Sequence, residues 1–186
     1  MAGAGAGLMS GVVWYAARSA GIVAYLLLSS SVVLGLLMST RAKLGWPRFA
    51  VEDVHRFIAK LTGVFIVVHG GALLLDQVVP FTLRQELIPF TSSYRPVGVG
   101  LGVVSAELLA AIAVTNLLRA EIPYRLWRRV HTLTIVVWLG TTVHLLLVGT
   151  DRTDPWLLGL CASSVAAVGL ALAPRLARVA EPAGTA

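Results

Sequence analysis

Four histidines, the only ones in the chain, fall into two pairs: His55 and His69 fourteen residues apart, His131 and His144 thirteen apart. Each pair lies inside one long apolar stretch. A histidine in hydrocarbon is costly and is kept there for a purpose. Its imidazole is also the protein ligand most often found on haem iron. Two helices side by side, each offering an imidazole near either end of the membrane, would clamp two haems one above the other. The chemistry such an arrangement supports is one-electron transfer across a membrane.

The elements that must position these residues follow from composition. The 186 residues are 57% hydrophobic and 13% charged, with a mean hydropathy of +0.83, too apolar for a soluble domain of this length. Five stretches are long enough to span a bilayer, at about 20 residues each: 16–39, 53–78, 96–118, 126–149 and 155–174. The expected fold is an all-α integral membrane bundle of about five transmembrane helices over 16–175, flanked by an N-terminal tail, 1–15, and a C-terminal tail, 176–186. The net charge of +6 is not spread as a nucleic-acid-binding surface would need. Arg41, Lys43, Arg48, Arg56, Lys60, Arg119, Arg125, Arg128, Arg129, Arg175 and Arg178 all fall on one side of the bundle. Arg84, Arg95 and Arg152 fall on the other, beside Asp76, Glu86, Asp151 and Asp154. Eleven against three predicts the N-terminus outside and the C-terminus cytoplasmic. The segment MAGAGAGLMSG has no basic start, so no cleaved leader is expected. Cys161, the one cysteine, excludes an intrachain disulfide and a CxxCH attachment, and reads as an apolar packing residue. Any haem is therefore held non-covalently.

Under this topology spans two and four both run outward, so His55 and His131 lie near the cytoplasmic face and His69 and His144 near the outer face. At 1.5 Å per residue each pair is separated by about 20 Å along its helix, room for two stacked haems in a core about 30 Å thick. The pairing expected is His55 with His131 and His69 with His144. Fourteen residues return to within about 40° of the starting direction, whereas thirteen miss by about 140°. Span four therefore needs local unwinding or a bulge, a curved path, or haems that approach it from different sides. Gly63, Gly70, Gly71 and Gly140 would admit flat macrocycles or close backbones, or serve ordinary small-residue packing. GVGLG at 98–102 reads as such packing, because no nucleotide fold surrounds it. Glu107, near the middle of span three, is expected to be a protonated acid buried between helices, bonded to a ligand imidazole, or part of a proton path.

The run WRRVHTLTIVVWLGTTVHLLLVGTD, Trp127 to Asp151, resembles the ligand helix of the ferric-reductase-like transmembrane family, which includes the membrane haem domains of NADPH oxidases and ferric reductases and the haem subunit of periplasmic methionine sulfoxide reductase. The W-R-R-V-H entry and both histidine spacings match, and ARSAGIVAYLLL, Ala17 to Leu28, resembles the helix that precedes the ligand helices. The resemblance implies a di-haem b domain with His55, His69, His131 and His144 as axial ligands. It also implies Arg18 as partner of an outer-haem propionate; snorkelling to the outer interface is the plainer alternative. Arg56, Lys60, Arg128 and Arg129 flank the inner ligands and would bind inner propionates or simply set topology. Trp138 lies between the two haem levels, where an aromatic would shorten an electron's path, although the family's usual aromatic place falls on Val137. Leu73 stands where superoxide-producing oxidases tend to carry a further histidine, and long outer loops are absent, so direct oxygen activation is not expected.

The function expected is that of a transmembrane di-haem b cytochrome, an electron-transfer subunit with no flavin or NAD(P)H domain of its own. Its donor would be a cytoplasmic flavoprotein or membrane quinol, and its acceptor an external redox protein or metal complex. Segment 76–95 would frame the exit or lie as an interfacial loop. The rival readings are a stand-alone ferric or cupric metalloreductase and a non-redox haem-binding membrane protein. A multi-pass protein of a bacterial plasma membrane fits either redox reading.

Overall fold

The computed structural model describes residues 2–40, 45–77 and 79–180, with side chains described from residue 11 to residue 177 within them. Arg41 and Lys43 fall outside the described residues, as does the side chain of Arg178. Among the described residues the fold is all helix. The elements are α1 (Ala2–Ser39), α2 (Arg48–Leu75), α3 (Leu83–Leu87), α4 (Pro96–Leu117), α5 (Tyr124–Thr132), α6 (Thr134–Val148) and α7 (Pro155–Ala180). Five segments are long and apolar enough to cross a membrane: Gly11–Ser39, Arg48–Leu75, Pro96–Leu117, Tyr124–Val148 and Pro155–Ala177. The protein is thus a multi-pass membrane bundle, with bounds a few residues from those expected. The stretch expected as an N-terminal tail continues α1 back to Ala2.

Proline sets where helices begin. Pro47 and Pro123 cap α2 and α5, and Pro96 and Pro155 open α4 and α7. A ring that fixes φ and lacks an N–H costs nothing at a helix start, where that N–H has no intrahelical partner. The connection 76–95 holds the five-residue α3, closed by a capping box in which the Thr82 hydroxyl accepts from the Gln85 N–H while the Gln85 side chain accepts from the Thr82 N–H. Phe90 and Arg95, both at positive φ, turn the chain into α4.

In packing, α1 lies chiefly along α2, and α4 along α6; α1 also meets α6 and α7. The core is built from Tyr25, Leu28, Val32 and Leu36 of α1, Ile112 of α4, Val137 and Trp138 of α6, and Cys161, Val168 and Ala171 of α7. The α1 residues recur every three or four positions, so they share one face. Cys161 is buried there as a free thiol. The two histidine-bearing spans are the least buried of the five, and α2 and α6 barely touch each other. A slot therefore runs between them.

Span four is not one regular helix. At Leu133 the N–H bonds back three residues to Val130, and α6 starts again at Thr134. The Thr132 and Thr134 hydroxyls bond to the Arg129 and His131 carbonyls, covering the acceptors around this break. Of the geometries open to a thirteen-residue spacing, the chain uses a local irregularity two residues beyond His131.

Candidate functional site

Three of the four imidazoles are held in the same way, each from a helix other than its own. The His55 Nδ1 lies 3.0 Å from the Ser31 carbonyl, the His69 Nδ1 2.7 Å from the Ala17 carbonyl, and the His144 Nδ1 2.8 Å from the Gly98 carbonyl. A carbonyl can only accept, so each Nδ1 carries the hydrogen and each Nε2 keeps its lone pair for a metal. Second-shell bonds of this kind fix ring orientation and raise ligand basicity.

Each of these seats includes a glycine one turn beyond the carbonyl. A Cβ on Gly35 would lie 3.4 Å from the His55 ring, one on Gly21 2.9 Å from the His69 ring, and one on Gly102 2.5 Å from the His144 ring. The pairs are Ser31 with Gly35, Ala17 with Gly21, and Gly98 with Gly102: carbonyl i and glycine i+4 throughout. In a helix the carbonyl of i already accepts from the N–H of i+4. Without a side chain at i+4, an imidazole can approach that carbonyl as a second donor. Gly21 and Gly35 are fourteen residues apart, matching His55 and His69 on the antiparallel neighbour.

His131 is different. Its Nδ1 is buried and has no hydrogen-bond partner. Its ring stacks on the Trp127 ring instead, with centroids 5.1 Å apart and planes 16° from parallel. The Trp127 indole N–H donates to the Asn116 Oδ1 at 2.7 Å, and the Arg119 guanidinium lies 4.3 Å from the indole centroid.

The fold brings His55 and His131 together across the slot, with ring centroids 6.2 Å apart and planes at 76°. Two metal–imidazole bonds of about 2 Å plus two ring radii of about 1.1 Å sum to nearly that separation. At the other end His69 and His144 are electrostatic neighbours. Among the described residues no three His, Cys, Asp or Glu side chains converge on one point, and the imidazoles come in twos. Two imidazoles per site, with Nδ1 committed to a carbonyl on His55, His69 and His144, fit the donor set of haem iron.

The remaining expected residues take varied places. Arg18 forms an ion pair with Asp151 and lies against the Trp14 and Trp156 rings, so its counter-charge in this fold is a carboxylate at the end of α6. Arg56 pairs with Glu52 one turn earlier, Arg128 donates to the Tyr124 hydroxyl, and Arg129 and Lys60 are exposed. Trp138 is buried away from the slot: its indole N–H faces the Ser29 and Ser164 hydroxyls at 3.1 and 3.2 Å. On α6 it points about 120° from His144, whereas Val137 points within about 20°. Glu107 is exposed on α4 and is neither buried between helices nor bonded to an imidazole. Gly63 and Gly71 face open space, Gly70 faces the Glu86 carboxylate, and Gly140 receives Ser105.

At the His69 and His144 end, Glu86 of α3 leans over Gly70, with its Oε1 buried and unpartnered. Desolvation pushes this carboxyl up to about 7. Beside Gly98 an open cleft of about 320 Å³ is lined by Arg95, Pro96, Val97, Leu147 and Arg152.

Compared with known families, residues 20–142 match the ferric reductase like transmembrane component. The chain belongs to this family. Its members are membrane redox components, and the match spans His55, His69, His131 and the slot between α2 and α6. It begins after Arg18 and ends before His144, so neither residue falls within the match. No curated protein and no solved structure matches the chain.

Proposed function

We propose that the protein is a transmembrane di-haem b cytochrome that passes electrons from a cytoplasmic flavoprotein or quinol to an external acceptor. The supporting observation is the set of imidazoles: His55 and His131 in ring contact across helices, His69 and His144 as charge neighbours, and three Nδ1 atoms committed to backbone carbonyls, leaving Nε2 for iron. When bound, haem supplies reversible one-electron carriage. The chain's own residues would hold it: His55 and His131 at the cytoplasmic end, His69 and His144 at the outer end. The basic residues clustered beyond the His55 end support that sidedness. Arg56, Arg128 and Arg129, within three residues of His55 and His131, would supply cations to inner propionates, and Arg18 would exchange Asp151 for an outer propionate. At the outer end, Arg95 and Arg152 favour an acceptor with negative charge. Direct reduction of anionic metal chelates in that cleft is the second reading, and those two arginines favour it.

The test is the optical spectrum of detergent-purified protein, oxidised and dithionite-reduced, with haem counted as the pyridine haemochrome. Two low-spin b-type haems per chain are expected, with one lost in His55→Ala and the other in His69→Ala. Absence of haem in protein that folds would overturn the proposal.

A further inference from the structure

The four imidazoles are not equivalent, and the odd one is His131. His55, His69 and His144 each combine a carbonyl acceptor with a glycine seat, while the His131 Nδ1 is buried with no partner. Two further features loosen the same residue. It sits on the nine-residue α5, which buries none of its side chains, and the helix is interrupted two residues later at Leu133. What orients its ring is stacking on Trp127, a contact that tolerates sliding and rotation better than a linear hydrogen bond does.

We propose that His131 is the exchangeable axial ligand. In the reduced protein the haem at the His55/His131 end opens on its His131 side and takes up a small neutral π-acceptor such as carbon monoxide. The haem at the His69/His144 end stays closed. The inference rests on the di-haem reading above. In the exchange the bond between His131 Nε2 and iron breaks, and one from the incoming carbon to iron forms. No electron is transferred, and the released imidazole stays neutral. Losing a second-shell partner typically weakens metal affinity by about 10–100-fold, so the two ends should differ by at least about tenfold in carbon monoxide uptake. Trp127 is a positioning residue here, since it acts on the iron only through His131.

The experiment is a carbon monoxide titration of the dithionite-reduced protein, followed in the Soret band, after the haems have been counted. Half of the haem should bind carbon monoxide. Trp127→Ala should speed that uptake about tenfold or more, and Trp127→Phe, which keeps a stacking ring, should restore the wild-type rate. With two haems counted, no uptake at all, equal uptake by both, or uptake indifferent to Trp127→Ala overturns the inference and leaves the di-haem reading intact. Should Trp127→Ala fail to fold, half-stoichiometric uptake by the wild type with slow exchange retained in Trp127→Phe still supports it. If no haem is counted, the underlying reading fails first.

Discussion

Replacing the three seat glycines by alanine should give a graded result. At Gly102 a Cβ would stand 2.5 Å from the His144 Nδ1, so reaching the 3.4 Å of an ordinary contact moves the ring by about 0.9 Å. The 2.8 Å bond to the Gly98 carbonyl would then stretch to about 3.7 Å, beyond hydrogen-bonding range. At Gly21 the required shift is about 0.5 Å, leaving a weakened bond of about 3.2 Å from His69 to Ala17. At Gly35 the contact already stands at 3.4 Å, and nothing needs to move. Loss of an outer-shell partner costs about 10–100-fold in metal affinity, or about 1.4–2.7 kcal/mol. Gly102→Ala should therefore lose most of one haem, Gly21→Ala a part of the same haem, and Gly35→Ala none. Alanine is otherwise worth about 0.5–1 kcal/mol to a helix interior, so poor helix formation cannot mimic this order. Gly63→Ala, where nothing approaches the new Cβ, is the control. Haem per chain by pyridine haemochrome is the assay. Equal haem loss in Gly35→Ala and Gly102→Ala, or full retention in Gly102→Ala, would refute the idea that these glycines seat the imidazoles.

Two other outcomes are expected. Glu86 is held as a neutral acid up to a pH of about 7 against an ordinary value of 4.5, so the folded state binds more protons than the unfolded between those values. Stability should fall as pH rises through that window; Glu86→Gln should raise the melting temperature at pH 8 and leave it unchanged at pH 4, and equal effects at both would count against the assignment. Trp138→Phe removes the indole N–H from Ser29 and Ser164, whose hydroxyls remain bonded to each other at 2.8 Å, so a loss of about 1 kcal/mol with unaltered haem spectra is expected. A changed spectrum would show that the indole reaches the slot.

The spans, and the common membrane level of His55 and His131, were legible because apolar length and helix rise are local quantities. The thirteen-residue spacing of His131 and His144 left a local break, a curved path or different haem approaches open, and the fold has a break at Leu133. The seats were not legible in the same way. Sequence reasoning looked for small residues on the ligand helices, at Gly63 and Gly71, while the glycines that matter lie on α1 and α4. The signal existed: Gly21 and Gly35 repeat the fourteen-residue interval of His55 and His69, and GVGLG holds a carbonyl and a glycine at i and i+4. Which helix faces which is a long-range matter, so that interval means nothing until α1 is known to lie against α2. Asn116 was passed over for the same reason, since its partner Trp127 is on another helix. Glu107 was expected inside because charge avoids hydrocarbon, but the face of α4 it occupies turns away from α6.

The placement of the seats has a consequence for how the protein is made. Both carbonyls that orient the α2 histidines belong to α1, the span synthesised immediately before it. A nascent chain whose first two helices have entered the membrane thus already owns two aimed imidazoles, before α4 or α6 exists. The Gly98 seat follows with the second hairpin, and only then do opposing nitrogens face each other. The early half then docks on the late half through α1, whose core face packs on α6 and α7, while α2 and α6 barely touch and leave the slot between them. Under the di-haem reading, loading would come after the two hairpins meet, because opposing nitrogens exist only then.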